Sequence, residues 1–201
     1  MQATRGASLS SSDRSTIPTR PGARRRQLIL FATIAVLGYA ADLVTKTLAV
    51  NHLRPGVPVD IVGSFFTFFI ARNPGAAFST GTSYTLLLSF VAIGAAVAVL
   101  WVARRLGSTG WAIGLGFLLA GVLGNLTDRI FREPGVLRGH VVDFLSFPHF
   151  PVFNVADMCI NVAAVFVILQ AVRGVSVSGE RHSDEDGRGT EGTPDTGSDP
   201  S

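Results

Sequence analysis

The sequence predicts an α-helical integral membrane protein, with four transmembrane helices and a small extracytoplasmic β-rich segment. Three observations carry this. Hydrophobic residues make up 47% of the chain and charged residues only 15%, against about 25% charged in soluble domains. Four apolar stretches each approach the roughly 20 residues that a spanning helix needs. The polar residues in or beside those stretches collect at one membrane level.

The helices are expected at about 28–50, 84–103, 110–128 and 152–172. The first carries Asp42 and Lys46, and it and the third are long enough only if their polar ends reach the interface. Gly94, Gly114, Gly116 and Gly121 permit close helix approach, as small residues commonly do in membrane bundles. Between the first two helices, the segment 57–78 is rich in β-branched and aromatic residues bounded by Pro and Gly, which predicts short strands. Its run of Phe65, Phe66, Phe68 and Phe69 suits a membrane surface. Residues 132–151 contain Pro134-Gly135, Pro148 and Pro151 and read as turns and extended chain. The membrane domain is taken as 27–173. The flanks 1–26 and 174–201 are polar, poor in apolar residues, and expected to be disordered cytoplasmic tails.

Orientation follows from the basic residues. Arg24, Arg25, Arg26, Arg104, Arg105 and Arg173 fall on one side, and Lys46, Arg54, Arg72, Arg129, Arg132 and Arg138 on the other. Counted so, the sides tie. Arg14, Arg20 and Arg181 tip the balance toward both termini inside.

With that orientation, Asp42 lies near the outer end of the first helix, and Asn125, Asp128 and Arg129 at the outer end of the third. Asn154 and Asp157 occupy the outer first turns of the fourth, and Asp143 lies in the loop before it. Spacings of three and four place Asn125, Asp128 and Arg129 on one helix face, and do the same for Asp42, Thr45 and Lys46. A carboxylate at membrane depth is costly. Asp143 and Asp157, fourteen positions apart, therefore suggest a site, since two carboxylates can share a proton and run acid–base chemistry. Arg129 offers several fixed donors for a loop or substrate carbonyl. Asn73, before Pro74-Gly75, sits in a turn where its amide can bond backbone or ligand.

Several classes are disfavoured. Cys159 is the only cysteine, so no disulfide framework or cysteine-based metal site is available. His52, His140 and His149 lack metal-ligand spacing, and no cofactor is implied. The basic pI near 9.7 speaks to membrane topology and gives nucleic acid no special support as a partner. Asp195-Thr196-Gly197 resembles a soluble aspartic-protease signature, but it is a single copy with no apolar strands around it. A small transporter or proton-relay protein is the alternative. It predicts polar residues at several depths, whereas here they form one layer and no inverted repeat is visible.

Five blocks, in order, resemble the bacterial lipoprotein signal peptidases, or signal peptidase II family. They are Asp42-Leu43-Val44-Thr45-Lys46, Asn73-Pro74-Gly75-Ala76-Ala77-Phe78, the segment from Gly121 to Arg129, Val141-Val142-Asp143-Phe144, and Phe153-Asn154-Val155-Ala156-Asp157. Together they span about residues 28–173. The resemblance implies a four-helix membrane aspartic endopeptidase with a small β cradle over the membrane surface. Both termini would be cytoplasmic, and the site would lie at the outer face of the bacterial inner membrane. It implies that Asp143 and Asp157 are the catalytic pair, with Asp42, Lys46, Asn73, Asn125, Asp128, Arg129 and Asn154 shaping or supporting the site. The substrates implied are prolipoproteins carrying diacylglycerol on a cysteine and cut just before it. The enzyme would act among membrane lipids and as a monomer. Ala120 stands where the family often has a second glycine.

Overall fold

The computed structural model of the protein describes residues 21–75 and 81–180. The expectations for residues 1–20, 76–80 and 181–201 lie outside the described residues. Four helices and three strands follow one another as α1 (Pro21–His52), β1 (Val59–Val62), β2 (Phe66–Asn73), α2 (Gly81–Ala103), α3 (Thr109–Phe131), β3 (Val141–Ser146) and α4 (Val155–Val172).

All four helices are long and apolar enough to cross a membrane. They differ in how much of themselves they hide. Over half of the apolar window of α3 is buried, against about a fifth in each of the others. α3 is therefore the central post, and its sequence explains why. Gly116, Ala120, Gly121 and Gly124 give it a surface with almost no side chains. A Cβ on Gly121 would collide with the Ala156 carbonyl oxygen of α4, and one on Gly124 would collide with Asp42 Oδ2 of α1. Large residues such as Val36, Leu37, Val44, Leu87, Phe90, Val97, Val165 and Ile168 are exposed on the outer helix faces, where lipid would meet them. The core between α1, α2 and α3 is built from Phe31, Ala35, Ala96, Val99, Leu106, Leu115 and Leu119.

The three strands form one antiparallel sheet in the order β1-β2-β3. The expected outer segment 57–78 resolves into β1 and β2, joined by a turn at Gly63 with positive φ. β3 departs from the expectation of turns and extended chain over 132–151. Val141, Val142, Asp143 and Phe144 are all buried, because β2 covers one edge and Phe153 bridges Leu145 on the other. Phe65, Phe66, Phe68, Phe144, Phe147, Phe150 and Phe153 interlock as edge-on and stacked rings that bind sheet to loop.

Helix ends also differ from expectation. α1 runs from Pro21 to His52 rather than 28–50, since Arg24, Arg25 and Arg26 continue the helix beyond its apolar part. α4 begins at Val155 rather than 152, because Asn154 caps it. The expectation of a tail from 174 does not hold over residues 174–180. Residues 174–180 fold back over the turn between α2 and α3, where the Val177 carbonyl accepts from the Gly107 and Ser108 N–H groups. The Val175 carbonyl accepts from Trp111 Nε1 at 2.8 Å. Arg24 likewise donates to the Arg104 carbonyl. The start of α1, the α2–α3 turn and the end of α4 thus share one end of the bundle, and the sheet stands at the other.

Candidate active site

At the sheet end, α1, α3, α4 and β3 converge on a polar layer beneath the β segment. Among the described residues, each predicted site residue except Arg129 enters one connected set of hydrogen bonds and ion pairs.

Two carboxylates sit at its centre. Asp143 is buried on β3, and Asp157 is half-buried in the first turn of α4. Asn154 joins them. Its Nδ2 donates to Asp143 Oδ1 at 2.6 Å, and its backbone N–H donates to Asp157 Oδ2 at 3.2 Å. Its own Oδ1 accepts the Asp157 backbone N–H at 3.0 Å. Asn154 and Asp157 thereby form a reciprocal capping box at the start of α4. Asp157 Oδ1 also accepts from Asn125 Nδ2 at 2.9 Å, and Asp143 Oδ2 from Asn73 Nδ2 at 2.9 Å.

Burial pushes the Asp143 carboxyl up from 3.8 to about 6, and the nearby charge of Asp157 adds to this. The amides of Asn73 and Asn154, and the Lys46 charge, pull the other way without cancelling it. Asp143 therefore holds its proton into the mildly acidic range.

A second tier supports the first. Lys46 is 1% exposed, and its Nζ lies 2.8 Å from Asp42 Oδ2 and 3.0 Å from Asp128 Oδ2. Buried charges must be paired, and here one ammonium serves two carboxylates. Asp128 is also paired with Arg132, one turn along α3. Asp128 Oδ2 accepts the Val142 N–H at 3.1 Å, which ties β3 to α3 one residue before Asp143. Asp42 Oδ1 accepts the Ala156 N–H at 2.8 Å, so a carboxylate from α1 caps the first turn of α4. Thr45 shares a face with Asp42 and Lys46 but bonds only to carbonyls of its own helix.

Arg129 stands apart. Its guanidinium lies beneath the turn at Gly75, and its Nη1 is buried without a partner among the described residues. The Asp128 and Arg129 side chains do not pair with each other; Asp128 turns to Lys46 and Arg132.

Sequence reasoning missed several contributors. Arg132 completes the charge balance of Asp128, and its i, i+4 spacing from Asp128 was the available signal. Thr85 and Ser89 of α2 are fully buried; Thr85 Oγ1 donates to the Pro74 carbonyl and Ser89 Oγ to that of Leu137, both at 2.6 Å. Thr85 thereby clamps the turn that carries Asn73, and Ser89 the segment that leads into β3. Hydroxyls in an apolar helix gave no sign of this. Beside the layer runs an apolar groove of about 380 Å³, lined by Leu48, Ala49, His52 and Leu53 of α1 and its end, with Phe68 and Phe144 of the sheet. Phe144 is the residue after Asp143 on β3.

Chemically, the arrangement offers two carboxylates held by amide donors, open on the Asp157 side and dry on the Asp143 side. That difference lets one act as base while the other acts as acid.

Comparison with known proteins agrees with this chemistry. The family model described as signal peptidase (SPase) II matches residues 34–173. The lipoprotein signal peptidase of Mycobacterium bovis (strain BCG / Pasteur 1173P2) is 47% identical over 169 residues, which is 83% of each chain. That of Mycobacterium avium (strain 104) is 49% identical over 160 residues, 80% of this chain and 87% of its own. A solved bacterial membrane enzyme structure, 25% identical, superposes with a TM-score of 0.64 over 71% of this chain and 92% of its own.

Proposed function

The chain belongs to the signal peptidase II family, membrane aspartic endopeptidases that remove signal peptides from prolipoproteins, and from that premise we propose that Asp143 and Asp157 are its catalytic pair. The observation that carries the proposal is Asn154, which hydrogen-bonds to both carboxylates at once.

Peptide hydrolysis needs a base to activate water and an acid for the carbonyl and the departing amine. Asp157, the more exposed carboxylate, takes a proton from a water as its oxygen attacks the scissile carbonyl carbon. Asp143, protonated, donates toward the carbonyl oxygen. The tetrahedral intermediate then collapses, the C–N bond breaks, the proton gained by Asp157 passes to the leaving nitrogen, and Asp143 recovers a proton from the hydroxyl that becomes the new carbonyl. Water is consumed, and a carboxylic acid and an amine are released. Arg129 Nη1, buried beneath the Gly75 turn, supplies a donor for a backbone carbonyl of the bound peptide. Asn73, Asn125 and Asn154 hold the carboxylates, while Asp42, Lys46 and Asp128 hold the elements that carry them.

The substrate is a prolipoprotein whose cysteine carries diacylglycerol, cut just before that cysteine. The apolar groove beside Phe144 suits an acyl chain, while the scissile bond lies over the polar layer. The arginines at 24–26, 104, 105 and 173 lie at the bundle end opposite the site, which supports cytoplasmic termini and a site at the outer face of the inner membrane. The peptidase domain spans about 21–180. The form proposed is a monomer acting among membrane lipids.

Purified protein in lipid or detergent is expected to cut a diacylglyceryl-modified precursor and to leave the unmodified one largely intact. Asp143→Asn and Asp157→Asn are each expected to abolish cleavage while keeping the fold. Full activity in either variant would remove the pair from the mechanism.

A further inference from the structure

The three amides that face the dyad share a design. Each has its carbonyl oxygen pinned by a group that can only donate, which leaves its NH2 for a carboxylate. Asn73 Oδ1 accepts the Gly75 backbone N–H at 2.8 Å, and its Nδ2 faces Asp143. Asn154 Oδ1 accepts the Asp157 backbone N–H, and its Nδ2 also faces Asp143. Asn125 Oδ1 accepts from Lys46 Nζ at 3.0 Å, and its Nδ2 faces Asp157. In the first two the pin is backbone and follows from the fold. Only for Asn125 is the pin a charged side chain, brought from another helix.

We propose that Lys46 is a positioning residue for the reaction, locking the Asn125 amide with its NH2 toward Asp157. This rests on the reading of Asp143 and Asp157 as the catalytic pair. An ammonium has three protons and no acceptor, so the Asn125 atom that meets it is the oxygen. Asp42 and Asp128 take the other directions of the same ammonium, at 2.8 and 3.0 Å. They leave it no freedom to turn away. Asn154 Nδ2 gives one proton to Asp143 and, at 3.2 Å, the other to Asn125 Oδ1, a longer and uncharged bond beside that of Lys46. Without Lys46, only the longer Asn154 bond holds the Asn125 oxygen, and the amide is freer to turn and present that oxygen to Asp157. Two acceptors then face each other, and the carboxylate loses its orientation toward water.

The role differs from simple charge balance. A lysine needed only to neutralise Asp42 and Asp128 would leave the orientation of Asn125 to other contacts. A lysine that acts through Asn125 has no further effect once Asn125 is gone.

The test is a cycle of kcat and KM on the lipidated precursor for wild type, Lys46→Met, Asn125→Ala and the double variant, all as full chains. Lys46→Met is expected to lower kcat by about 100-fold, the scale of a misplaced catalytic group, with KM nearly unchanged. The double variant is expected to match Asn125→Ala within about threefold. Losses that multiply in the double variant, or wild-type kcat in Lys46→Met, would overturn the proposal. If Lys46→Met alone does not fold, Lys46→Met/Asp42→Asn removes one charge of each sign and takes its place. Adding Asn125→Ala to that pair is then expected to change kcat less than about threefold, and a renewed full loss would overturn the proposal. Asp157→Asn runs alongside: an active Asp157→Asn sinks the dyad itself, whereas an inactive one with multiplying losses sinks only the role of Lys46.

Discussion

Replacing Asp143 with asparagine is expected to change stability in a way that depends on pH, and the structure sets the size. The ionised Asp143 is penalised by burial, with its carboxyl raised from 3.8 to about 6. At about 1.4 kcal/mol per pH unit, the penalty reaches about 3 kcal/mol once the group is fully ionised. The sign follows from proton linkage. Between about pH 4 and 6 the unfolded carboxyl has already lost its proton while the folded one still holds it. The folded state then binds more protons, so wild-type stability falls as pH rises through this window and levels off above it. The amide in the Asp143→Asn variant has no proton to lose and escapes that decline. It carries a different cost: its NH2 must face Asn73 Nδ2 or Asn154 Nδ2, donor against donor. That costs about 1–3 kcal/mol at every pH. The variant is therefore expected to be less stable than wild type at pH 4, and to recover by about 3 kcal/mol relative to it by pH 7. Unfolding in mixed micelles, followed by the fluorescence of Trp101 and Trp111, measures the difference at each pH. Carboxylates that do not interact with Asp143 act on both proteins and cancel. A difference that stays constant within about 0.5 kcal/mol from pH 4 to 7 would refute the buried, proton-holding Asp143.

Three further outcomes follow from the same geometry. The pH profile of kcat/KM, which reports the free enzyme, is expected to fall on its alkaline side with a midpoint near 6, as Asp143 loses its proton; a flat profile from pH 5 to 8 would exclude Asp143 as the acid. Gly121→Ala drives a methyl group into the Ala156 carbonyl and pushes α3 from the first turn of α4, with an expected loss of about 100-fold in kcat; Gly94→Ala, which meets open space, is expected to keep full activity. Asp128→Ala strips Lys46 and Arg132 of a shared partner and frees the Val142 N–H. It is expected to cost about 3–5 kcal/mol in the same unfolding assay, and a loss under about 1 kcal/mol would show that the pairs are surface-like.

The sequence made the helices and the polar layer legible for a physical reason. An apolar run of about 20 residues has few alternatives to spanning, and a charge beside one must be placed at an end or in a site. The same logic left β3 unseen. Val141-Val142-Asp143-Phe144 is too short for a period-two pattern, and both its faces are buried, so there is no alternation to detect. Its edges are closed by β2 and by Phe153, both distant from the local sequence signal. The clamp by Thr85 and Ser89 was hidden for a similar reason: a hydroxyl in an apolar helix usually bonds its own preceding turn, and Ser89 does so with Thr85 while also reaching Leu137.

Asp157 can be read as a helix cap or as a site residue, and its two oxygens leave room for both. A carboxylate at the third position of a helix, after an asparagine cap, is a common stabilising device. One oxygen of Asp157 serves that device by accepting the Asn154 N–H, and the other accepts from Asn125. The cap fixes the carboxylate without consuming it. Asp42 completes the arrangement by taking the Ala156 N–H, a donor at the same helix end that would otherwise compete for Asp157. The first turn of α4 thus has its donors divided among Asp42, Asn154 and Asp157, each with one assigned partner. That division explains why an aspartate on α1 belongs to the same layer as the proposed pair.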